Sequence, residues 1–212
     1  MAKDIIDSLK WRYATKKFDS NKLLSSEKLD VLKRSFDLTA TSYGLQPLKM
    51  MVVSDRETKE QLVPMSYNQP QIGNASNILV ICIEAEVDTD YIKNYFKSVE
   101  NIRGTSRDVL EPFEDFLIKN FSEKDQEEIQ LWATKQAYLA LGNLLTVCAV
   151  EEIDACPIEG FEPEKYDKFL KLNERGLRSV LVLAVGYRAE DDIFSGFKKV
   201  RRGADKVIIE HK

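Results

Sequence analysis

Histidine is almost absent from this chain, which removes the commonest acid–base chemistry at once. The one histidine among 212 residues is His211, next to the C-terminus. A zinc centre would lack its usual imidazole ligands, and a Ser-His-Asp hydrolase would lack its base, so no metal site is expected. Cysteine is scarce as well. Cys82, Cys148 and Cys156 are odd in number, form no CxxC and lie in apolar stretches. They read as buried thiols and point to a reducing, cytoplasmic setting. No apolar run reaches the roughly 18 residues of a membrane span, and the opening Met-Ala-Lys-Asp-Ile-Ile shows no secretory pattern. Net positive charge is also missing. Lys and Arg number 31 against 35 Asp and Glu, a formal charge of -4, so nucleic acid is not an expected partner. No GxGxxG follows a strand and no GxxxxGK[ST] occurs, so a Rossmann dinucleotide site and a P-loop both lack their signature. With no linker, repeat or low-complexity segment, residues 1–212 are expected to form a single domain.

What is present alternates helical and strand patterns. Residues 3–12 carry Ile5, Ile6, Leu9 and Trp11 at amphipathic spacing, and Ser25 or Ser26 caps a second helix with Glu27 in its first turn. Leu48–Ser54 and Asn77–Ala85 read as strands, the second apolar enough to be covered on both faces. Residues 88–120 are helical and charge-rich. Ser122 precedes a long helix reaching about Glu152, with Asp125 as the partner of a capping pair. The second half of that helix is apolar on nearly every side, so it must be buried in the core or against a partner chain. Gly142 within it is costly by about 1 kcal/mol, and close helix packing would be a reason to keep it. Ile153–Ile158 is short and apolar, Pro163 suits the first turn of a helix, and Ser179–Tyr187 is the strongest strand pattern. The tail ends in Val207-Ile208-Ile209, which could add a strand to its own sheet or a partner's. The pattern describes an α+β domain around one central sheet, mixed but mainly antiparallel.

Four stretches could carry chemistry. Arg12-Tyr13-Ala14-Thr15-Lys16-Lys17 and Lys198-Lys199-Val200-Arg201-Arg202 place seven cations in two clusters at opposite ends of an acidic chain. Brought together, they would bind a phosphomonoester, whose oxygens suit forked guanidinium donors; apart, they would be two solvated charge runs. Ala40-Thr41-Ser42-Tyr43-Gly44-Leu45-Gln46-Pro47 is a polar, glycine-containing stretch between helix and strand. In Pro157-Ile158-Glu159-Gly160-Phe161 a glycine after a strand allows a flat ligand to approach the backbone. Taken alone, each of these last two is equally a turn.

Together these motifs resemble the nitroreductase family, close to the oxygen-insensitive NAD(P)H nitroreductase and dihydropteridine reductase group. The resemblance runs through most of the chain in one order: R-x-x-T-K-x-F at Arg12–Phe18, S-x-x-x-Q-P at Ser42–Pro47, the helix Trp132–Leu139 continuing to Gly142-Asn143, Pro157–Phe161, and Lys-x-Arg at 199–201. It implies an α+β nitroreductase-like fold as an intertwined homodimer with two FMN molecules in the interface. Arg12, Lys16, Lys199 and Arg201 match positions that hold the phosphate and line the flavin, beside Tyr13 and Ala14, where relatives often have Ser. Asn68 matches an Asn at the flavin's polar edge, and Gln71 falls where close relatives carry Lys. Thr41, Ser42 and Gly44 match the stretch contributed by the partner subunit, and Gly44 replaces a frequent Asn. Gln136 lies on the long helix near the site. Pro157, Ile158, Glu159 and Gly160 match the turn whose backbone amides face the flavin, including N5.

The implied activity is an FMN-dependent transfer of hydride from NADH or NADPH to a nitroaromatic or quinone in ping-pong turnover. The chemistry is the flavin's, with Lys16 as electrostatic support and no catalytic side chain. Reduction of dihydropteridine or free flavin, a non-enzymatic flavin-binding module, and a structural dimer with solvated basic clusters are the alternatives. Tyr67, Phe113 and Phe116 are candidates for shaping the open flavin face, with core packing as the other role open to each.

Overall fold

Strand β2 (Asn77–Glu84) sets the architecture, because residues 78–83 are all apolar and almost fully buried. Its even-numbered side chains Ile78, Val80 and Cys82 enter one core, and the odd-numbered Leu79, Ile81 and Ile83 enter another. A strand covered on both faces needs neighbours on both edges and helices above and below. The computed structural model, which describes residues 4–211, has that form. The sheet order is β1 (Leu48–Val53), β2, β4 (Leu177–Gly186), β3 (Asp154–Ile158), and every strand pair is antiparallel. The one parallel contact among the described residues is an isolated bridge from Ala14 to Ala155.

On one face lie α3 (Arg56–Leu62), α4 (Pro70–Asn74) and α8 (Pro163–Phe169), packing Leu62, Ile72, Phe161 and Tyr166 over the sheet. On the other, α2 (Ser26–Asp37) and the long α7 (Gln126–Val150) cover it. Ser25 caps α2, with Glu27 in its first turn as expected. Helix α1 (Ile5–Trp11) packs on α7, and the expected start at residue 3 lies outside the described residues. The charge-rich stretch forms α5 (Thr89–Arg103) and α6 (Arg107–Ser122). Their core of Ile92, Phe96, Leu117 and Phe121 takes in Leu45 and the beginning of α7, and Tyr91 Oη donates to the Leu45 and Gln46 carbonyls at 2.8 and 2.9 Å. This helix pair therefore stands apart from the sheet.

Three sequence expectations need correction. Ser122 ends α6 rather than preceding α7. Asp125 is the α7 N-cap, because its carboxylate takes the Glu128 N–H while Glu128 reaches back to the Asp125 N–H, at 2.9 and 3.2 Å. Gly142 is not explained by packing within this chain: a Cβ there would meet nothing within 4 Å. The tail adds no strand to its own sheet. Ala204–Val207 is a single helical turn (α9), and Val207, Ile208 and Ile209 are exposed.

Helix α7 settles what an apolar all-round helix does here. Small side chains, Ala133, Ala137 and Ala140, let one side approach the sheet closely, and Leu144 and Cys148 complete that buried side. The outer side still shows Leu131, Tyr138, Leu139 and Val150 to solvent. No helix of the described residues is long and apolar enough to cross a membrane.

Candidate functional site

The Arg12–Lys17 loop leaves α1 and runs beside the sheet edge. Thr15 N–H donates to the Ala155 carbonyl at 3.2 Å, and Phe18 bridges to Arg188 just past β4. Asp19 N–H donates to Tyr187 O at 2.8 Å and Ala189 N–H to Lys17 O at 2.9 Å, which completes the backbone seam. The segment after β4 is thus the template on which the loop lies.

Two buried carboxylates fill the space beneath. Asp192 is 3% exposed. Its Oδ2 accepts from the Tyr13 hydroxyl at 2.8 Å and from the Lys16 and Lys17 amides at 3.0 and 3.2 Å, while Oδ1 accepts from Phe194 N–H at 3.1 Å. Burial by itself would raise the Asp192 carboxyl, but these four bonds outweigh it and hold the group below the ordinary aspartate range. Asp154 accepts the backbone N–H of Arg188 at 2.8 Å and its Nε at 2.7 Å, with Nη2 2.6 Å from Oδ1. The Arg188 guanidinium is also sandwiched between Trp11 and Tyr13, 4.4 and 4.6 Å from the two ring centroids.

The two basic clusters, nearly the full chain apart in sequence, meet at this loop. Lys199 Nζ donates to the Arg12 carbonyl. Burial lowers the Arg12 guanidinium, and the nearby Arg201 charge lowers it further. Burial likewise lowers Lys199, helped by the charges of Arg12, Arg201 and Arg188. Lys17 pairs with Asp191 and Arg188 with Asp154. Arg12, Lys16, Lys199 and Arg201 have no carboxylate partner among the described residues. Of these, Arg12, Lys199 and Arg201 lie close enough to repel one another, and an anion would relieve that repulsion.

From the cations the site continues along β3. The Cys156 thiol is pushed up by burial and drawn back down by the charges of Lys16 and Arg12 and by a hydrogen bond from Gln71. That places Gln71, on α4, in the same neighbourhood as Lys16. Gln71 Oε1 and Arg12 Nε are buried without a hydrogen-bond partner. Beyond Pro157 and Ile158, Gln69 Nε2 donates to the Gly160 carbonyl at 2.7 Å. A Cβ on Gly160 would press on Gln69 Nε2 at 3.3 Å and Tyr67 at 3.5 Å. No described residue accepts the Gly160 N–H. Glu159 accepts from the Tyr138 hydroxyl of α7 at 2.5 Å. Tyr67 and Asn68 both have positive φ, 52° and 57°, an uncommon choice for a tyrosine.

Thr41, Ser42 and Gly44 are not part of this cluster. Their stretch is held by Gln136, which is buried on α7 and accepts the Ser42 N–H at 2.9 Å. Gly44 has φ +73°, and a Cβ there would lie 2.5 Å from Tyr95 Oη, so backbone and space both call for glycine. Tyr43 beside it (φ 59°) stacks with Trp132 and meets Phe113 edge-on. Phe113 in turn stacks with Phe116 at 6.1 Å. Phe113, Phe116 and Tyr67 are 45%, 52% and 65% exposed, so core packing does not account for them.

The family's sequence pattern matches residues 9–187, from α1 to the end of β4. The chain belongs to the nitroreductase family. YfkO of Bacillus subtilis, named as an NAD(P)H nitroreductase, is 34% identical over 204 residues, covering 88% of this chain and 90% of its own. A Staphylococcus saprophyticus relative with the same kind of name is 32% identical over 217 residues, covering 98% and 97%. Among solved structures, a nitroreductase-like protein of Streptococcus mutans superposes with TM-score 0.84 over the full length of both chains at 18% identity. An Exiguobacterium sibiricum protein solved in complex with FMN gives 0.83 at 18% identity, covering 100% and 99%. These two likenesses establish a shared nitroreductase fold. Lys199 and Arg201 lie beyond the matched region, so their arrival at Arg12 is a separate observation.

Sequence reasoning missed Asp154, Arg188 and Asp192. An acid opening an apolar strand, and an Arg and an Asp just past the strongest strand, were the available signals.

Proposed function

We propose that this nitroreductase-family chain is an FMN-dependent NAD(P)H oxidoreductase that works as a homodimer and reduces nitroaromatics or quinones in ping-pong turnover. The observation that carries the reading is the meeting of Arg12, Lys199 and Arg201, without carboxylate partners among the described residues, on the loop that also carries Lys16. The residues suit FMN. Its phosphate carries a charge near -2, as phosphomonoesters do at neutral pH, and matches the unpaired cations. The buried, unpartnered Arg12 Nε can donate to that phosphate, and the buried, unpartnered Gln71 Oε1 can accept from the polar ring edge; each unpartnered atom otherwise costs about 1–3 kcal/mol. When bound, FMN supplies two-electron hydride chemistry that no side chain here can provide.

In this reading Arg12, Lys199 and Arg201 hold the phosphate, and Tyr13 and Ala14 line the loop around it. Lys16, near Cys156, offsets negative charge on the reduced ring. Asn68 and Gln71 meet the ring's polar edge. Pro157, Ile158 and Glu159 bring the free Gly160 N–H to the ring. Thr41, Ser42 and Gly44 serve the partner's site, with Gln136 fixing Ser42 in place.

Dimerisation is supported by the apolar surface left over. Leu131, Tyr138, Leu139 and Val150 on α7, Ile5, Ile6 and Leu9 on α1, and Val207–Ile209 in the tail are all exposed. A second copy covering α7 would also account for the open space at Gly142. The ring face beside Tyr67 must admit nicotinamide and acceptor in turn, which makes turnover ping-pong; the Phe113–Phe116 pair, next to the stretch that serves the partner's site, would border that site.

The test is anaerobic. Purified protein mixed with FMN should retain it, lose its visible flavin band with NADH or NADPH, and regain the band on addition of a nitrofuran or quinone. A yellow protein that neither nicotinamide bleaches contradicts the enzyme reading. A protein that does not retain FMN contradicts the cofactor reading. Recovery only with a pteridine would move the substrate class.

A further inference from the structure

We propose that Asp192, together with the Asp154–Arg188 pair, is a positioning device for the phosphate site, holding the Arg12–Lys17 loop in its binding shape before any ligand arrives. The inference rests on the reading of that loop as the phosphate site. It concerns residues that do not themselves touch the phosphate.

The geometry separates two jobs. Both Asp192 oxygens are taken by protein donors: Tyr13 Oη and the Lys16 and Lys17 amides on one, Phe194 N–H on the other. Asp192, 3% exposed, makes no ion pair with Arg12, Lys16, Lys199 or Arg201, so it acts on the loop through these bonds rather than by neutralising those cations in contact. The neighbouring Asp191 pairs with Lys17 and draws that cation away from the site. Arg188 completes the frame: its guanidinium fills the gap between Trp11 and Tyr13, and Asp154 fixes it from below. Thr15 Oγ1 reaches the same carboxylate at 3.4 Å. Trp11, Tyr13, Thr15, Lys16 and Lys17 are thus each tied to one of three residues on β3 or the segment after β4. A loop of like charges with this support binds an anion without first paying the entropy of ordering.

The experiment compares FMN with riboflavin, which lacks the phosphate, by fluorescence titration of wild-type protein and of Asp192→Asn. Asparagine turns one acceptor of the loop's donors into an NH2 group facing those donors. In the variant FMN affinity should fall about 10- to 100-fold, the range for charged hydrogen bonds. Riboflavin affinity should change by no more than about 3-fold, since of the loop's residues only Lys16 meets the ring. The FMN-over-riboflavin preference is a readout that general destabilisation would not move selectively. Arg188→Lys keeps the charge and loses the sandwich. It should show the same pattern at about 3- to 10-fold, and it decides the matter if Asp192→Asn does not fold. Hydrogen exchange on ligand-free wild type should find the Lys16 and Lys17 amides protected. A folded Asp192→Asn or Arg188→Lys that keeps the full preference overturns the proposal, as do unprotected amides. If wild type itself shows no preference for FMN, the phosphate reading fails instead.

Discussion

The Arg12–Lys17 loop and the α5–α6 helix pair are built on opposite principles. The loop is charged, is seamed with the residues that follow it to β3 and the segment after β4 by three backbone hydrogen bonds and two bridges, and sits on two buried carboxylates. The helix pair offers exposed aromatics, Phe113 and Phe116, on a small core shared with the start of α7 and the 41–46 stretch. One end is over-determined and the other is loosely attached. The same contrast suits a protein that must hold one coenzyme firmly and admit changing partners over it.

Substitutions can break or sharpen that contrast. The largest effect is expected from Arg188→Ala, which leaves the Asp154 carboxylate buried and uncompensated. Unfolding by denaturant should show a loss of about 3–5 kcal/mol. Arg201→Ala should weaken FMN by about 1.5–3 kcal/mol in a binding titration. It should not lower folding stability, since it removes a repulsive charge. If Arg201→Ala instead destabilises the fold, the cations are structural and the contrast is lost. Gly44→Ala, strained at φ +73° and pressed against Tyr95, should lose about 1–3 kcal/mol of stability.

At the looser end, Phe113→Ala should raise the KM for an aromatic acceptor by about 1 kcal/mol in equivalent terms, with FMN affinity unchanged. A fall in FMN affinity would tie the two ends together. The smallest effect concerns pH. Because Asp192 is held below its ordinary range, its contribution is present above about pH 4 and lost only as the pH falls through the lowered folded value. Amide protection of the loop should therefore stay constant from about pH 8 to 5, while FMN binding weakens near pH 6 as the phosphate itself takes a proton.

Much of the fold was legible because local and global preferences agree. Residues 78–83 are apolar on both faces and form the strand at which the two cores meet. Ser25 and Pro163 mark helix starts where they should. The misreadings came where two signals compete. Ser122 and Asp125 both suit an N-cap, and only the reciprocal bond with Glu128 distinguishes them. The terminal Val-Ile-Ile has strand propensity, but no edge of its own sheet takes it. Of the site, the cations and the Gly44 and Gly160 turns were visible because their residue types are unusual for their surroundings. Asp154, Arg188 and Asp192 were not, since a carboxylate filled by backbone amides looks in sequence like any surface acid. Their role depends on a chain crossing that has no local trace.

The central claim is that cations from the two ends of the chain converge on one phosphate. A crystal structure of the protein grown with FMN tests it most directly. The account predicts phosphate oxygens within hydrogen-bond distance of Arg12, Lys199 and Arg201, about 2.7–3.2 Å. A bound FMN whose phosphate lies away from all three would contradict it.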